Sequence, residues 1–210
     1  MLLEWLFPPK CPYCERTIRY DMTECLCCRA AYPLDPRIEI TPKGDICIAP
    51  FTYEGNVAQA LRNFKFRKTV FNSRSFSAAI VSAIRKTYYK DMDFEIVTDV
   101  PLTHSRIRKR GYNQSELIAR HVARLTDKPF EELLERTVDS EYQHYLGREE
   151  RIKHNKRYYN VISAEQVKGK TILLIDDIMT SGATLSSCSE VLKDAGAERV
   201  LCASVAIARK

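Results

Sequence analysis

Residues 171–185 read TILLIDDIMTSGATL: an apolar run, two adjacent carboxylates, and then a short segment that carries hydroxyl groups and a glycine. The apolar run, residues 171–175, is too short for a helix, rich in β-branched residues and free of polar positions in its interior. These features predict a strand that is buried on both faces of a parallel sheet. Apolar residues then recur at helical spacing over residues 185–195, and Gly196 follows where a helix would end. The stretch is therefore predicted to fold as strand, loop and helix.

The loop after the carboxylates has the composition of a phosphate site. Backbone N–H groups at a helix N-terminus lack intrahelical partners and hold a phosphate ester well, and the helix dipole adds attraction. A glycine lets the backbone approach the anion, and neighbouring hydroxyl groups can donate to its oxygens. We therefore expect a phosphate to bind at this loop, whose residues are Thr180, Ser181, Gly182, Ala183 and Thr184.

Asp176 and Asp177 stand just before the loop, within reach of a sugar attached to that phosphate. Carboxylates this close to a bound phosphate would repel it. Their expected partners are therefore sugar hydroxyl groups, which donate to them, with a divalent cation such as Mg²⁺ offsetting the charge. A pentose 5-phosphate fits this arrangement, so the sequence predicts a phosphosugar site.

A basic segment follows a second predicted strand at residues 95–100. Residues 106–110 read RIRKR, so four cations fall within five residues. The guanidinium group presents a fork of donors that matches phosphate oxygens, which suits a doubly charged leaving group such as pyrophosphate. Arg106 and Arg110, predicted to lie in a loop, are the expected pyrophosphate contacts. A solvated basic turn is the alternative for any one of these side chains.

Strands and helices alternate along most of the chain. The predicted strands lie at residues 46–53, 95–100, 158–162, 171–175 and 199–208. The predicted helices lie at residues 56–66 and 75–89, from residue 114 onward, and after the loop at residues 180–184. Residues 130–136 stay unassigned, and residues 138–157 form an insertion rich in charge and tyrosine. The alternation predicts an α/β fold with a doubly wound, mostly parallel sheet.

The order apolar strand, paired acids, threonine, small residue, glycine, small residue, threonine resembles the phosphoribosyl pyrophosphate loop of the type I phosphoribosyltransferases. This resemblance implies that Asp176 and Asp177 hold the ribose 2- and 3-hydroxyl groups and that residues 180–184 hold the 5-phosphate. It also implies that residues 138–157 close over the substrate. Two plainer interpretations stay open. One is a Walker-B-like element, although the chain has no G-x-x-x-x-G-K-[ST], and the other is an ordinary strand-to-helix turn.

A longer pattern narrows the resemblance. V-P-L at residues 100–102 precedes R-x3-R-G-Y-N-Q-S-E-L at residues 106–117, and the paired-acid loop follows at a distance. This pattern resembles the ComF family of bacterial competence proteins, in particular the ComFC-type members. The resemblance implies a role in DNA uptake during natural transformation and a zinc module that docks a competence helicase or translocase. One departure is His154-Asn155, where the family pattern leads us to expect Asn-Val.

Two C-x2-C pairs near the N-terminus are separated by ten residues. Four thiolates at this spacing suit a tetrahedral zinc ion. The predicted ligands are Cys11, Cys14, Cys25 and Cys28, and Cys27 is a spare thiol that could compete with the second pair. A disulfide framework is the alternative. Residues 1–7 carry an acidic residue, lack a basic start and are too short for a signal peptide, so we expect a reducing, cytoplasmic compartment.

Length and composition divide the chain in two. Residues 1–45 have too few apolar groups to fold alone and are predicted to depend on the metal, whereas residues 46–210 can bury a phosphoribosyltransferase-like core. The first part carries six Lys/Arg against seven Asp/Glu and the second part 27 against 20, so the excess of positive charge lies in the second part, where we expect anionic ligands. No apolar stretch approaches the ~20 residues that span a bilayer, so we expect no membrane insertion. The remaining cysteines, Cys47, Cys188 and Cys202, are predicted to be small core residues.

Two functions fit these features. In the first, a nucleophile attacks C1 of the bound sugar and pyrophosphate leaves, while Mg²⁺ and arginines offset the charge of the transition state. Nothing in the sequence selects an acceptor, so turnover stays open. The second is the role in DNA uptake that the family resemblance implies, in which the site binds a nucleotide or single-stranded DNA. Cations that interleave with aromatic residues at residues 62–74 and in the insertion support such binding. The aromatic residues can equally face the core. A metabolite-sensing regulator without turnover is a third hypothesis.

Overall fold

The computed structural model describes residues 8–31, 35–87, 93–137 and 158–208, so the insertion at residues 138–157 lies outside the described residues. The described strands are β1 (Arg37–Ile40), β2 (Ile46–Ala49), β3 (Phe51–Thr52), β4 (Ile96–Asp99), β5 (Leu134–Arg136), β6 (Tyr159–Val161), β7 (Thr171–Met179) and β8 (Arg199–Ile207). The described helices are α1 (Leu26–Ala30), α2 (Gly55–Phe66), α3 (Asn72–Thr87), α4 (His104–Arg110), α5 (Gln114–Thr126), α6 (Ala164–Val167) and α7 (Ala183–Asp194).

Six of these strands form one sheet, in which β7 lies between β8 and the edge strand β4. The order is β1-β2-β8-β7-β4, and β3 also pairs with β8. All pairings are parallel except that of β1, which runs antiparallel to β2 at the edge. The predicted α/β fold with a mostly parallel sheet is confirmed.

Alternate residues of β7 enter two separate hydrophobic clusters. Leu173 and Ile175 join side chains of α2, α3 and α5, whereas Ile172 and Leu174 join side chains of α7. Successive strand residues point to opposite faces of a sheet, so helices cover both faces, as a doubly wound fold requires. All four side chains are fully buried, and burying each contributes roughly 1.5–3 kcal/mol. The apolar run at residues 171–175 is therefore buried on both faces of the sheet.

The basic segment differs from its prediction, because it is a helix and not a loop. Thr103 Oγ1 accepts a hydrogen bond from the backbone N–H of Arg106 at 3.3 Å and caps α4 at its N-terminus. Gly111, at φ 89°, adopts the left-handed conformation that ends the helix. The four cations are thus presented on a short, capped helix between β4 and α5.

Three predicted strands also differ in the structure. The strand predicted at residues 46–53 is divided at Pro50 into β2 and β3, because proline has no N–H to donate to a ladder. The strand predicted at residues 158–162 is present as β6, but it pairs with β5 in a separate two-stranded antiparallel sheet. β7 is longer than predicted and runs through both aspartates to Met179, so the acidic pair belongs to the strand itself.

The cysteine-bearing segment, residues 8–31, packs against the larger part of the chain. The ring of Tyr13 is buried, with its centroid 5.7 Å from that of Phe51. Ser75 Oγ on α3 donates to Glu24 Oε2 at 2.8 Å, and Glu24 is only 5% exposed. The segment therefore shares one hydrophobic cluster with the sheet. Among the described residues, no helix has both the length and the apolar character needed to cross a membrane.

Candidate functional site

The acidic pair lies near the carboxyl end of β7, where parallel sheets bind ligands. Asp176 Oδ1 accepts two hydrogen bonds, one from Ser115 Oγ at 3.0 Å and one from the backbone N–H of Asp177 at 2.8 Å. Removal from water and the neighbouring negative charge of Asp177 raise the pKa of Asp176 to about 7. The raised pKa shows that a negative charge on Asp176 is unfavourable beside Asp177, so the pair would be stabilised by a positive charge or by hydrogen-bond donors.

Lys65, at the end of α2, supplies a positive charge to this site. Its Nζ lies 2.9 Å from Asp177 Oδ2, and the two side chains are 21% and 10% exposed. Phe64, the preceding residue, is fully buried, and its carbonyl oxygen accepts a hydrogen bond from Tyr112 Oη. In the sequence, Lys65 stands among basic and aromatic residues that could bind nucleic acid, and no local pattern connects it to the acidic pair.

A third carboxyl, Asp99, lies at the carboxyl end of β4, where it pairs in register with Ile175 of β7. It is 7% exposed, and Asn113 Nδ2 donates to its Oδ2 at 2.7 Å. Burial, followed by the charge of Glu116, raises the pKa of Asp99 to about 7. Asn113 Oδ1 also accepts from the backbone N–H of Ser115 at 3.1 Å, so the side chain that holds Asp99 caps helix α5 as well.

Residues 112–115 therefore connect the parts of the site. Tyr112 holds the helix that carries Lys65, Asn113 holds Asp99, and Ser115 holds Asp176. Sequence reasoning used these residues only to start a helix and to support a family resemblance. The available signal was the run G-Y-N-Q-S at residues 111–115, directly after the basic segment.

The loop predicted to bind phosphate is accessible. Thr180, Ser181, Ala183 and Thr184 are exposed, whereas Gly182 is buried. Gly182 has φ +74°, and a Cβ there would lie 2.9 Å from Met179 Cε and 3.0 Å from Pro42 Cδ. Glycine therefore suits this position for two reasons: the backbone is left-handed, and the loop packs too closely against Met179 and Pro42 to leave room for a side chain. The first N–H groups of α7, which begins at Ala183, face this loop without intrahelical partners.

The two predicted pyrophosphate contacts lie on α4. Arg110 Nη1 donates to Gln114 Oε1 at 2.8 Å, and its guanidinium carbon lies 5.8 Å from the centroid of the Phe66 ring. Arg106 is exposed in the first turn of the helix. Gln114 precedes Ser115, which bonds to Asp176, so Arg110 is connected to the acidic pair through two adjacent residues.

The predicted metal ligands come together at the N-terminus. The Sγ atoms of four cysteines all lie within 4.8 Å of one another, and these are Cys11, Cys14, Cys25 and Cys28. This clustering suits tetrahedral thiolate coordination, in which all four ligands surround one ion. Cys27 is exposed and stands outside the cluster. The backbone N–H of Cys28 donates to Cys25 Sγ and lowers the pKa of Cys25 to about 7, which favours the thiolate form that binds metal.

Each of the other three cysteines, Cys47, Cys188 and Cys202, is fully buried in the core.

Comparison with protein families defines the class of this fold and site. A model of the phosphoribosyl transferase domain matches residues 73–210, which include β7, the loop at residues 180–184 and the basic helix. The match covers well over half of the chain. The chain therefore belongs to the phosphoribosyl transferase domain family, and its fold is that of the type I phosphoribosyltransferases.

Curated relatives narrow the class to bacterial competence proteins. The chain is 24% identical to Competence protein F of Haemophilus influenzae over 197 residues, which cover 91% of this chain and 82% of the relative. It is 30% identical to Competence protein ComFC of Bacillus subtilis over 146 residues, covering 70% and 57%. It is 24% identical to DNA utilization protein YhgH of Escherichia coli over 199 residues, covering 90% and 86%. These relatives confirm the resemblance to the ComF family.

Proposed function

We propose that this chain binds phosphoribosyl pyrophosphate, or a nucleotide of the same class, as part of a competence-type role in DNA uptake for natural transformation. The observation that carries the proposal is the position of an exposed, glycine-containing loop at a helix N-terminus beside two adjacent carboxylates. The domain match and the names of the related proteins support the wider role.

Each part of the ligand has a proposed partner. The amides and hydroxyl groups of residues 180–184 bind the 5-phosphate, since such groups converge on anions at helix N-termini. Asp176 and Asp177 accept hydrogen bonds from the ribose hydroxyl groups, and Arg106 and Arg110 bind the pyrophosphate. Mg²⁺ would offset the negative charge between carboxylates and pyrophosphate, and the oxygens of the acidic pair are the hard donors that this ion prefers.

A double substitution tests the ribose assignment. Asp176→Asn/Asp177→Asn removes both negative charges, so we expect the full chain to lose Mg²⁺-dependent binding of phosphoribosyl pyrophosphate in calorimetric titration. Asp21→Asn/Asp93→Asn is the matched control, because it removes two charges from side chains that are 64% and 94% exposed. Unchanged affinity of the Asp176→Asn/Asp177→Asn variant for phosphoribosyl pyrophosphate would contradict the assignment of these residues to the ribose.

For the N-terminal part we propose a structural zinc ion on Cys11, Cys14, Cys25 and Cys28. The four clustered thiols support this choice, because zinc prefers sulfur ligands in a closed tetrahedral site. We retain the proposed division into a zinc module at residues 1–45 and a larger domain at residues 46–210, in a reducing, cytoplasmic compartment. Docking of a competence helicase or translocase to the module stays a prediction from the family resemblance.

Phosphoribosyl transfer is the second candidate function, and the domain match favours it. In that reaction an acceptor forms a bond to C1 of the sugar, the bond from C1 to the pyrophosphate oxygen breaks, and pyrophosphate leaves with the electron pair. The chain's part is to orient the sugar and to stabilise the departing charge. A screen of acceptors for pyrophosphate release tests turnover, and binding without release from any of them would favour the binding role alone.

Single-stranded DNA is a further proposed ligand, and one surface near the site supports it. Phe66 is 69% exposed, and Arg110 lies against its ring, with Arg67 and Lys68 exposed beside it. Exposed rings stack on bases and cations follow the backbone. Phe64, by contrast, is fully buried and cannot stack on a base. Affinity for a single strand should fall steeply with salt, and a flat response would contradict the proposal.

A further inference from the structure

The ammonium group of Lys65 lies against the acidic pair and offsets part of its negative charge. Its Nζ lies 2.9 Å from Asp177 Oδ2, and both side chains are largely shielded from water. Salt screens such a pair much less than it screens a pair on the surface, so the attraction between the two charges persists in solution. Asp177 therefore has an ionic partner before any ligand arrives.

The helix that carries Lys65 is fixed, while the lysine side chain can move. The Phe64 side chain is fully buried in the core, and its carbonyl oxygen accepts from Tyr112 Oη. The rings of Phe64 and Tyr112 also lie in contact, with centroids 5.5 Å apart. Lysine has a flexible four-carbon stem, so its ammonium group can leave Asp177 without any movement of α2.

The charges around the site decide what can displace the lysine. Asp176 and Asp177 are adjacent on β7, and Asp99 of β4 pairs in register with Ile175, the residue before Asp176. A divalent cation attracted by these carboxyls meets an ammonium group already bound to Asp177 and is repelled by it. A pyrophosphate ligand changes this balance, because its negative charge attracts the ammonium group away from the carboxylate.

We propose that Lys65 is a built-in counter-cation that keeps free divalent ions off Asp177, so that Mg²⁺ enters the site only together with a pyrophosphate ligand. The part of this inference that concerns the ligand rests on the proposed function. The part that concerns free ions rests only on the contact between Lys65 and Asp177.

Binding of Mn²⁺ to the zinc-loaded full chain without ligand, followed by electron paramagnetic resonance, tests the inference. Lys65→Met should bind Mn²⁺ about tenfold more tightly than the unsubstituted chain, because one repelling charge is lost a few ångströms from the ion. Lys65→Gln should show the same gain, since it keeps a donor to Asp177 and lacks the charge. Lys65→Arg should stay at the starting affinity.

Two controls separate this effect from other causes. Lys128→Met removes one positive charge from an exposed pair with Asp93, so it should leave the Mn²⁺ affinity unchanged. Lys65→Met in an Asp177→Asn background should not raise the Mn²⁺ affinity, because the carboxylate that pairs with the lysine is absent. If Lys65→Met and Lys65→Gln both bind Mn²⁺ no better than the unsubstituted chain, the ion pair is structural only and the inference is overturned.

The failure of the proposed function would be visible separately. A titration of the unsubstituted chain with phosphoribosyl pyrophosphate and Mg²⁺ tests the ligand, and the absence of binding there would overturn the proposed function. The Mn²⁺ comparison contains no sugar phosphate, so its result decides the role of Lys65 in either case.

Discussion

The cysteine cluster and the acidic pair are two groups of candidate ligand atoms that the chain organises in different ways. The four thiols lie within 18 residues of sequence, on short turns and one five-residue helix. The side chains that hold the acidic pair come from α2 and α5, and the hydrogen bond from Ser115 to Asp176 spans 61 residues. We therefore predict that an added ion stabilises the cluster, whereas the acidic pair is held by contacts within the fold.

This difference leads to the largest expected effect, which is loss of the N-terminal metal. Cys11→Ser/Cys14→Ser should remove zinc and lower the free energy of unfolding by several kcal/mol, because metal binding supplies roughly 10–16 kcal/mol to small thiolate sites. Elemental analysis should return about one zinc per unsubstituted chain. Cys27→Ser is the control and should keep the ion, because Cys27 lies outside the cluster. A double variant that retains its zinc would contradict the ligand assignment.

The acidic region should instead respond to pH, through Asp99. Its pKa in the folded state is about 7, against an ordinary value of 3.8, so the folded protein binds more protons than the unfolded chain between these values. The free energy of unfolding should therefore fall as pH rises from about 4 to about 7 and should stay low above pH 7. The charged neighbours that face Asp99 are Glu116, Glu132 and Arg120.

Asp99→Asn isolates this contribution. The amide cannot ionise, so at pH 8 the variant should be more stable than the unsubstituted chain, by up to about 4 kcal/mol at ~1.4 kcal/mol per pKa unit. At pH 4 the two proteins should be nearly equal. Urea denaturation at both values measures the difference. A variant whose advantage is the same at pH 4 and pH 8 would show that Asp99 is not protonated in the fold.

These two regions also show how far sequence reasoning extends. The thiol pairs and the loop at residues 180–184 are local patterns whose chemistry follows from residue type and spacing, and the structure brings each of them together. The roles of Asp99, Asn113 and Lys65 depend on contacts across the sheet. Nothing local distinguishes Lys65 from the neighbouring exposed cations, and only the packing of α2 against the turn at Tyr112 directs it to Asp177.

Helix capping explains why the basic segment was misassigned as a loop. RIRKR has no apolar periodicity, so its composition indicates a solvated turn. The side chain of Thr103 and the left-handed Gly111 nevertheless satisfy both ends of α4. These two capping residues were visible in the sequence, and their spacing was the missed signal.

Substitution of Gly182 in the phosphate loop should have a smaller effect on stability. Gly182→Ala should lower stability by roughly 1–3 kcal/mol, because a Cβ would crowd Met179 and Pro42 and the left-handed conformation adds strain. It should also weaken binding of phosphoribosyl pyrophosphate in the same calorimetric titration. Gly169→Ala is a matched control, since Gly169 has φ +69° and a Cβ there would meet no atom within 4 Å. Equal losses in both variants would mean that strain alone, and not the close approach, explains the glycine.

Tyr112→Phe should have the smallest effect on stability. It tests whether the hydrogen bond from Tyr112 to α2 keeps Lys65 in contact with Asp177. The substitution removes only the hydroxyl group that donates to the carbonyl oxygen of Phe64, so the stability should fall by about 1 kcal/mol. Because that bond also holds the end of α2, Lys65 should contact Asp177 less often, and Mn²⁺ should bind the ligand-free variant slightly more tightly. Tyr20→Phe, at a side chain that is 55% exposed, should change neither quantity. A stability loss in Tyr112→Phe without any gain in Mn²⁺ affinity would show that Lys65 stays on Asp177 independently of this anchor, and that the ion pair rather than the turn at residues 112–115 organises the site.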